Sequence, residues 1–278
     1  MTNYLKDKSI IVTGAAGGFG KLVSAKAAAL GAKVTCADVN ADLLQGAVKD
    51  ITAAGGVAQA VVADVTDIAQ MKAAAAKAVA AYGRIDVMIN NAGVMPLAFY
   101  ADHEKALEKW HRCIDINIKG VLNGTVAVYD QMIAQGEGHV INVSSIYGNF
   151  PVVGAGVYGA TKSAVNFLSE SLRMEARGKI KVTIVKPTGV PLTGLGAGVV
   201  NPEAIIGIVG HNGPEYLGAM GQLAAGKLDP QRLDPDGQNY VALDPGFIAD
   251  QIIHAMNQPQ GVSIGDVTIR AAGDHYIL

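Results

Sequence analysis

The amino-acid sequence predicts an α/β protein, a doubly wound parallel sheet in a single domain spanning residues 1–278. Three observations carry that expectation. Short β-branched runs alternate with longer Ala-rich stretches from residue 9 to residue 187. The runs are apolar almost throughout, as parallel strands buried on both faces must be. A glycine-rich turn, TGAAGGFG (13–20), joins the first run to the first helical stretch, and a helix start of this kind presents unpaired backbone N–H groups.

The elements follow in order. SIIVTG (9–14), KVTCAD (33–38), VAQAVVAD (57–64), RIDVMINNAG (84–93), GHVINVSS (138–145) and KVTIVKP (181–187) read as strands. Residues 21–30, 41–54, 67–82, 104–134 and 156–178 carry strong helix formers at helical spacing. Repeated β-α-β units put ligands beyond the carboxyl ends of the strands. After Pro187 the composition turns Gly- and Pro-rich, with only short helical candidates near 203–209 and 215–227. A connection as long as 188–246 inside a compact domain is usually a lid or binding segment, and it is read here as the substrate-binding insertion. A final helix starts at Asp244, with Pro245 suited to its first turn. DVTIRA (266–271) is the last strand.

Half of the residues are hydrophobic and 17% are charged, which suits a well-buried core. A formal charge of −2 gives no electrostatic reason to expect nucleic acid or an anionic membrane surface. Two cysteines, Cys36 and Cys113, fit a reducing compartment. The start, MTNYLKDKSI, has no apolar signal core, and no run approaches the length of a membrane span. A cytoplasmic protein is expected. The six histidines lack metal-ligand spacing, so no metal is expected.

In the glycine turn, Gly14, Gly18 and Gly20 allow a tight bend and a close backbone approach to a pyrophosphate, with Phe19 beside it. About twenty residues on, the second strand ends at Asp38, where a carboxylate accepts from ribose hydroxyls and repels a 2′-phosphate. No Arg or Lys stands at Ala15, Ala16, Val39 or Asn40. The turn therefore predicts NAD in preference to NADP. The competing reading of Asp38 is a turn or capping aspartate.

The glycine pattern, NNAG (90–93), Asn117 in DINIKG, Ser145 in NVSS, and Tyr158 with Lys162 in YGATK occur in this order. Together they resemble the short-chain dehydrogenase/reductase family, whose fold is the Rossmann type. The resemblance runs from about residue 9 to residue 187. It implies that Asp64 and Val65 flank the adenine, and that Asn91, Ala92 and Gly93 line the cofactor. It also implies cofactor contacts at Pro187, Gly189 and Val190. Read locally, Asp64 fits a helix N-cap as well, and NNAG fits a turn.

Tyr158 and Lys162 are four apart on a predicted helix and share one face. Free tyrosine has a pKa of about 10. A neighbouring ammonium, or the charge of oxidised nicotinamide, favours the phenolate, which then takes an alcohol proton or returns it in reverse. Ser145, at a strand's carboxyl end, can hydrogen-bond the substrate oxygen. Ser144 competes, and the family's spacing selects Ser145. The resemblance adds two roles: Lys162 holds the nicotinamide ribose, and Asn117 helps order a water for proton relay. Tyr147 and Phe150 are candidates for lining the substrate pocket, whereas Met95 and Trp110 read as core or interface residues. The text KPTGVPLT departs from the family's common Pro-Gly pair: Thr188 stands at the glycine position, and Gly189 follows. Thr193 is a candidate for the nicotinamide amide.

The expected activity is NAD-dependent interconversion of a secondary alcohol and a ketone. The apolar content of 188–246 points to an apolar or cyclic substrate. The alternative is a non-catalytic dinucleotide-binding protein for sensing or assembly. Helices 104–134 and 156–178 would pack between subunits in a homodimer or homotetramer.

Overall fold

Seven strands form one sheet in a computed structural model that describes residues 2–191 and 193–277. They are β1 (Ser9–Thr13), β2 (Lys33–Asp38), β3 (Val57–Val62), β4 (Val87–Asn90), β5 (Gly138–Val143), β6 (Ile180–Pro187) and β7 (Asp266–Ile269). Their order is β3-β2-β1-β4-β5-β6-β7, and every pairing is parallel. The helices of the first part are α1 (Gly18–Ala29), α2 (Ala41–Ala53), α3 (Ile68–Tyr82), α4 (His103–Ile114), α5 (Gly120–Gln135) and α6 (Gly156–Glu175). After β6 come α7 (Ile206–Val209), α8 (Gly213–Ala224), α9 (Pro230–Leu233) and α10 (Pro245–Met256).

Strand periodicity divides the core. Successive side chains point to opposite faces, so Ile10 and Val12 of β1 face one way and Ile11 the other. The first face packs with Val87, Ile89, Ile141 and Val143 beneath α1, α2 and α10. The second packs with Met88, Val140 and Val182 beneath α3, α5 and α6. The runs are apolar throughout because both faces are covered. Removing a large side chain there costs about 2–5 kcal/mol.

Caps set several helix starts. The Asn40 side chain accepts from the Leu43 N–H at 3.1 Å, and that of Asp67 accepts from the Ala69 N–H at 2.8 Å. Asp244 accepts from the Gly246 N–H at 2.6 Å, just ahead of Pro245 in the first turn of α10. From β1 the sheet extends through β2 on one side and β4 on the other. This reversal opens a crevice at the strands' carboxyl ends.

Some boundaries differ from expectation. The third strand stops at Val62, and α6 stops at Glu175. The expected helix over 104–134 is interrupted by a π-turn, Asp115–Lys119, between α4 and α5. The segment 188–246 holds more helix than its Gly and Pro content suggested. Among the described residues, no helix is long and apolar enough to cross a membrane.

Candidate functional site

The crevice holds a cavity of about 710 Å³. At one end lies the glycine turn. Gly14 adopts φ +66°, a left-handed conformation that glycine takes without strain. A Cβ on Gly20 would collide with the Gly14 carbonyl oxygen, so only glycine lets α1 close onto the turn. The start of α1 has neither a side-chain cap nor an acidic residue in its first turn. Its leading N–H groups and positive dipole end are therefore available to an anion.

Asn91 and Thr13 fasten the turn to the end of β4. The Asn91 amide donates to the Thr13 carbonyl at 2.9 Å, and the Asn91 N–H donates to the Thr13 hydroxyl at 3.0 Å. Asp38 accepts from the N–H groups of Ala16 at 3.0 Å and Asn40 at 2.9 Å. It is thus a turn aspartate and a cavity-wall residue at once.

At the other end Ser145, Tyr158 and Lys162 come together, all buried. The Ser144 hydroxyl donates to the Lys162 carbonyl at 3.2 Å, which ties it to α6. The Ser145 hydroxyl accepts from the Tyr147 N–H at 3.3 Å and lies beside the Tyr158 phenol. Lys162 Nζ donates to the Val143 carbonyl at 2.9 Å and sits 5.8 Å from the centroid of the Tyr158 ring. Burial acts on both groups in the sense that disfavours charge. It pushes the Tyr158 phenol well above its usual value, against a downward pull from Ser145. It lowers Lys162 to about 8. Desolvation is thus the larger influence on the phenol in this structure, and Ser145 is the neighbour that draws it down.

Asn117 lies in the π-turn and is fully buried. Its Oδ1 accepts from the Val94 N–H at 3.0 Å. Its Nδ2 donates to the Val94 carbonyl at 3.0 Å and to the Thr161 hydroxyl at 3.1 Å. Thr161 in turn donates to the Tyr158 carbonyl at 2.7 Å. Both amide protons are used, so the side chain braces the loop after NNAG against α6.

Of the other expected residues, Gly14, Gly18, Phe19, Asn91, Ala92, Gly93, Pro187, Gly189, Val190, Tyr147 and Thr193 line the cavity. Gly20, Asp64, Val65, Asn117 and Phe150 are not part of its described wall. Asp64 accepts from the N–H and hydroxyl of Thr66 at 2.9 and 2.8 Å, while Asp67 caps α3. Val65 is packed against Gly120, and its carbonyl accepts from Asn123 at 2.8 Å. Phe150 is turned outward. Met95, read as core, is on the wall.

The sequence reading missed Tyr216, His275 and Tyr276, which also line the cavity. The last two belong to a C-terminal tail that folds back through the Gly273 N–H to the Tyr240 carbonyl, 2.8 Å, and the Ile277 N–H to the Ile208 carbonyl, 2.9 Å. A histidine and a tyrosine side by side in the short tail after the last strand were the available signal. Among the described residues, no group of three or more His, Cys, Asp or Glu side chains is placed to hold a metal.

The glycine cradle, the uncapped helix start and the braced Asp38 fit a dinucleotide. The comparisons agree. The model of the short chain dehydrogenase family matches residues 8–203. This chain belongs to that family. An uncharacterized oxidoreductase of Listeria monocytogenes is 32% identical over 95% of this chain and 96% of its own length. The 2,5-dichloro-2,5-cyclohexadiene-1,4-diol dehydrogenase LinX of Sphingobium indicum is 36% identical over 69% of this chain and 78% of its own. Two solved structures resemble the fold. A metagenomic short-chain oxidoreductase in complex with NADP has a TM-score of 0.72 and 27% identity, covering 96% of this chain and 97% of its own. A short-chain dehydrogenase/reductase from Burkholderia phymatum in complex with NAD has a TM-score of 0.75 and 28% identity, covering 96% and 90%. The protein is an oxidoreductase of this family with a nucleotide-binding Rossmann fold.

Proposed function

We propose that this oxidoreductase interconverts a secondary alcohol and a ketone, with NAD preferred over NADP. The observation that carries the reading is the burial of Ser145, Tyr158 and Lys162 together in one cavity with the glycine turn and Asp38. Gly14, Gly18 and Phe19 would hold the pyrophosphate at the start of α1. Asp38 would hold the adenosine ribose, and Lys162 the nicotinamide ribose. When bound, the dinucleotide accepts hydride from the alcohol carbon or returns it to the ketone.

The chain's own residues do the rest. Ser145 orients the substrate oxygen by a hydrogen bond. Tyr158 takes the hydroxyl proton, or returns it, as general base or acid. The Lys162 ammonium favours the phenolate while that proton is away. Asn117 keeps the loop after NNAG and the helix of Tyr158 in register. The preference for NAD rests on the Asp38 carboxylate, which a 2′-phosphate would meet as a like charge.

Segment 188–246 acts as the substrate-binding lid, supplying Val199, Ile205, Leu217 and Met220 as an apolar wall. A neutral, apolar or cyclic alcohol fits it, and the cyclic diol named for LinX supports that class. The outer faces of α5 and α6 carry the contact between copies in a homo-oligomer.

The test is a panel of secondary alcohols and ketones with each cofactor, followed by nicotinamide absorbance. Tyr158→Phe is expected to lower kcat by about 10²-fold or more while NAD still binds in a fluorescence titration. Undiminished turnover would sink the mechanism. Cofactor binding by the wild type without turnover of any alcohol or ketone would favour a sensing or assembly role.

A further inference from the structure

The cavity ends in a wall of aromatic rings. Tyr158 meets Tyr147 edge-on at 5.5 Å, Tyr147 meets Tyr276 at 6.4 Å, and Tyr276 meets Tyr216 at 6.3 Å. The row therefore leads from the candidate acid/base directly to the C-terminal tail. The buried Tyr147 hydroxyl has no hydrogen-bond partner among the described residues. Buried hydroxyls are normally satisfied, and one left alone calls for an explanation.

The tail is built rather than draped. The single Thr188 hydroxyl proton is shared between the Ile269 carbonyl at 3.1 Å and the Asp274 carboxylate at 3.3 Å. Asp274 also accepts from Arg270 at 2.7 Å and from the Tyr276 N–H at 3.2 Å. Asn212 donates to the His275 carbonyl at 3.0 Å. A Cβ on Gly189 would come within 3.1 Å of the Tyr276 ring, so a larger residue there would push the ring away. The departure at Thr188-Gly189 thus has a physical reason: threonine ties the tail down, and glycine makes room for its tyrosine.

We infer that Tyr276 is a specificity-determining residue which, with Tyr147, recognises a second oxygen on a neutral cyclic alcohol. Lys162 is the one lysine or arginine on the described wall, and Asp38, its one carboxylate, stands at the glycine-turn end. Selection near the tail therefore falls to neutral hydrogen bonds and ring contacts. A substrate ring seated against this row presents its reacting hydroxyl to Tyr158 and Ser145. A second hydroxyl or carbonyl on the same ring pairs with the Tyr147 hydroxyl and meets the Tyr276 hydroxyl, which is held in place by its hydrogen bond with Tyr216. The inference rests on the alcohol–ketone reading above.

The test compares cyclohexanol with cyclohexane-1,2-diol and cyclohexane-1,4-diol, in the wild type and in Tyr276→Phe and Tyr147→Phe. Both variants keep the ring and remove only the hydroxyl. One neutral hydrogen bond corresponds to a preference of up to about tenfold. The wild type is expected to favour at least one diol by about that factor in kcat/KM. Each variant is expected to bring the diol-to-cyclohexanol ratio close to one while NAD still binds in a fluorescence titration. A ratio unchanged in both variants overturns the inference, as does loss of NAD binding in Tyr276→Phe. Wild-type turnover of cyclohexanol with no diol preference overturns this inference alone. No turnover of any alcohol or ketone overturns the alcohol–ketone reading with it.

Discussion

Lys162 holds its ammonium where little water reaches, with the Val143 carbonyl at 2.9 Å as its protein acceptor. Burial lowers its pKa to about 8 from an ordinary 10.5. Near neutrality it keeps its proton, and it loses the charge as pH rises through about 8. Between 8 and 10.5 the unfolded chain binds the extra proton, so this group's contribution to stability rises with pH across that window. Lys162 is therefore placed for chemistry at some expense to folding. Asp38 does two jobs at once. Its carboxylate braces Ala16 and Asn40 while facing the cavity. Asp38→Ala is expected to raise the ratio of NADP to NAD use, in kcat/KM, by about tenfold, a 1.4 kcal/mol step. Efficiency with NAD should fall as well, since two backbone N–H groups lose their acceptor. Steady-state kinetics with both cofactors checks this, and an unmoved ratio removes the argument for NAD.

At the scale of elements, the strands and most helices were legible because both sheet faces are buried and polar caps mark helix starts. The π-turn was not. Nothing within DINIK sets it apart from regular helix, and Asn117 acquires its role from Val94, a partner 23 residues earlier in the chain. Asp64 and Asp67 each suit an N-cap by type, and the start of α3 at Ile68 decides for Asp67. The aromatic wall escaped notice for the same reason: Tyr147 and Tyr276 meet through folding of the tail, with no local pattern to announce it. The seam between β5 and β6 hides a titratable group of this kind. His139 Nε2 lies 2.8 Å from the Thr183 hydroxyl, which itself donates to the Ile264 carbonyl at 2.6 Å. The threonine proton is thus spent, and His139 Nε2 must be the donor. Burial, aided by the charge of Lys181, drops the imidazole pKa to about 3 from 6.5. The folded state therefore resists protonation that the unfolded chain accepts. This stability is complete above pH 6.5 and is lost as pH falls toward 3. From pH 6.5 to 5 the loss is about 2 kcal/mol, at roughly 1.4 kcal/mol per unit. His139→Gln, which keeps a donor for Thr183, should flatten urea-unfolding stability against pH over that range. An equally steep decline in the variant would show that other groups govern acid sensitivity.

At the scale of the whole molecule, the two sheet faces end differently. On one, α1 and α10 pack closely together over the strands. On the other, α5 and α6 cover the sheet but present apolar side chains outward: Leu122 and Val126 on α5, Phe167 and Met174 on α6. Phe167 is 79% exposed and Met174 72%. The spacings, i to i+4 and i to i+7, put each pair on one side of its helix, forming stripes turned away from the core. Apolar surface gathered this way marks an interaction site more often than chance exposure, and a face that meets its own copy about a two-fold axis buries both stripes at once. The wild type is therefore expected to elute as a dimer or larger assembly in light-scattering chromatography. Phe167→Glu combined with Leu122→Glu places four carboxylates in such an interface per dimer and should shift the mass toward one chain. Neither side chain belongs to the sheet core, so circular dichroism of the variant should stay that of the folded protein. A wild type that runs as a single chain, or a variant that stays fully assembled, would mean that these faces are not where copies meet.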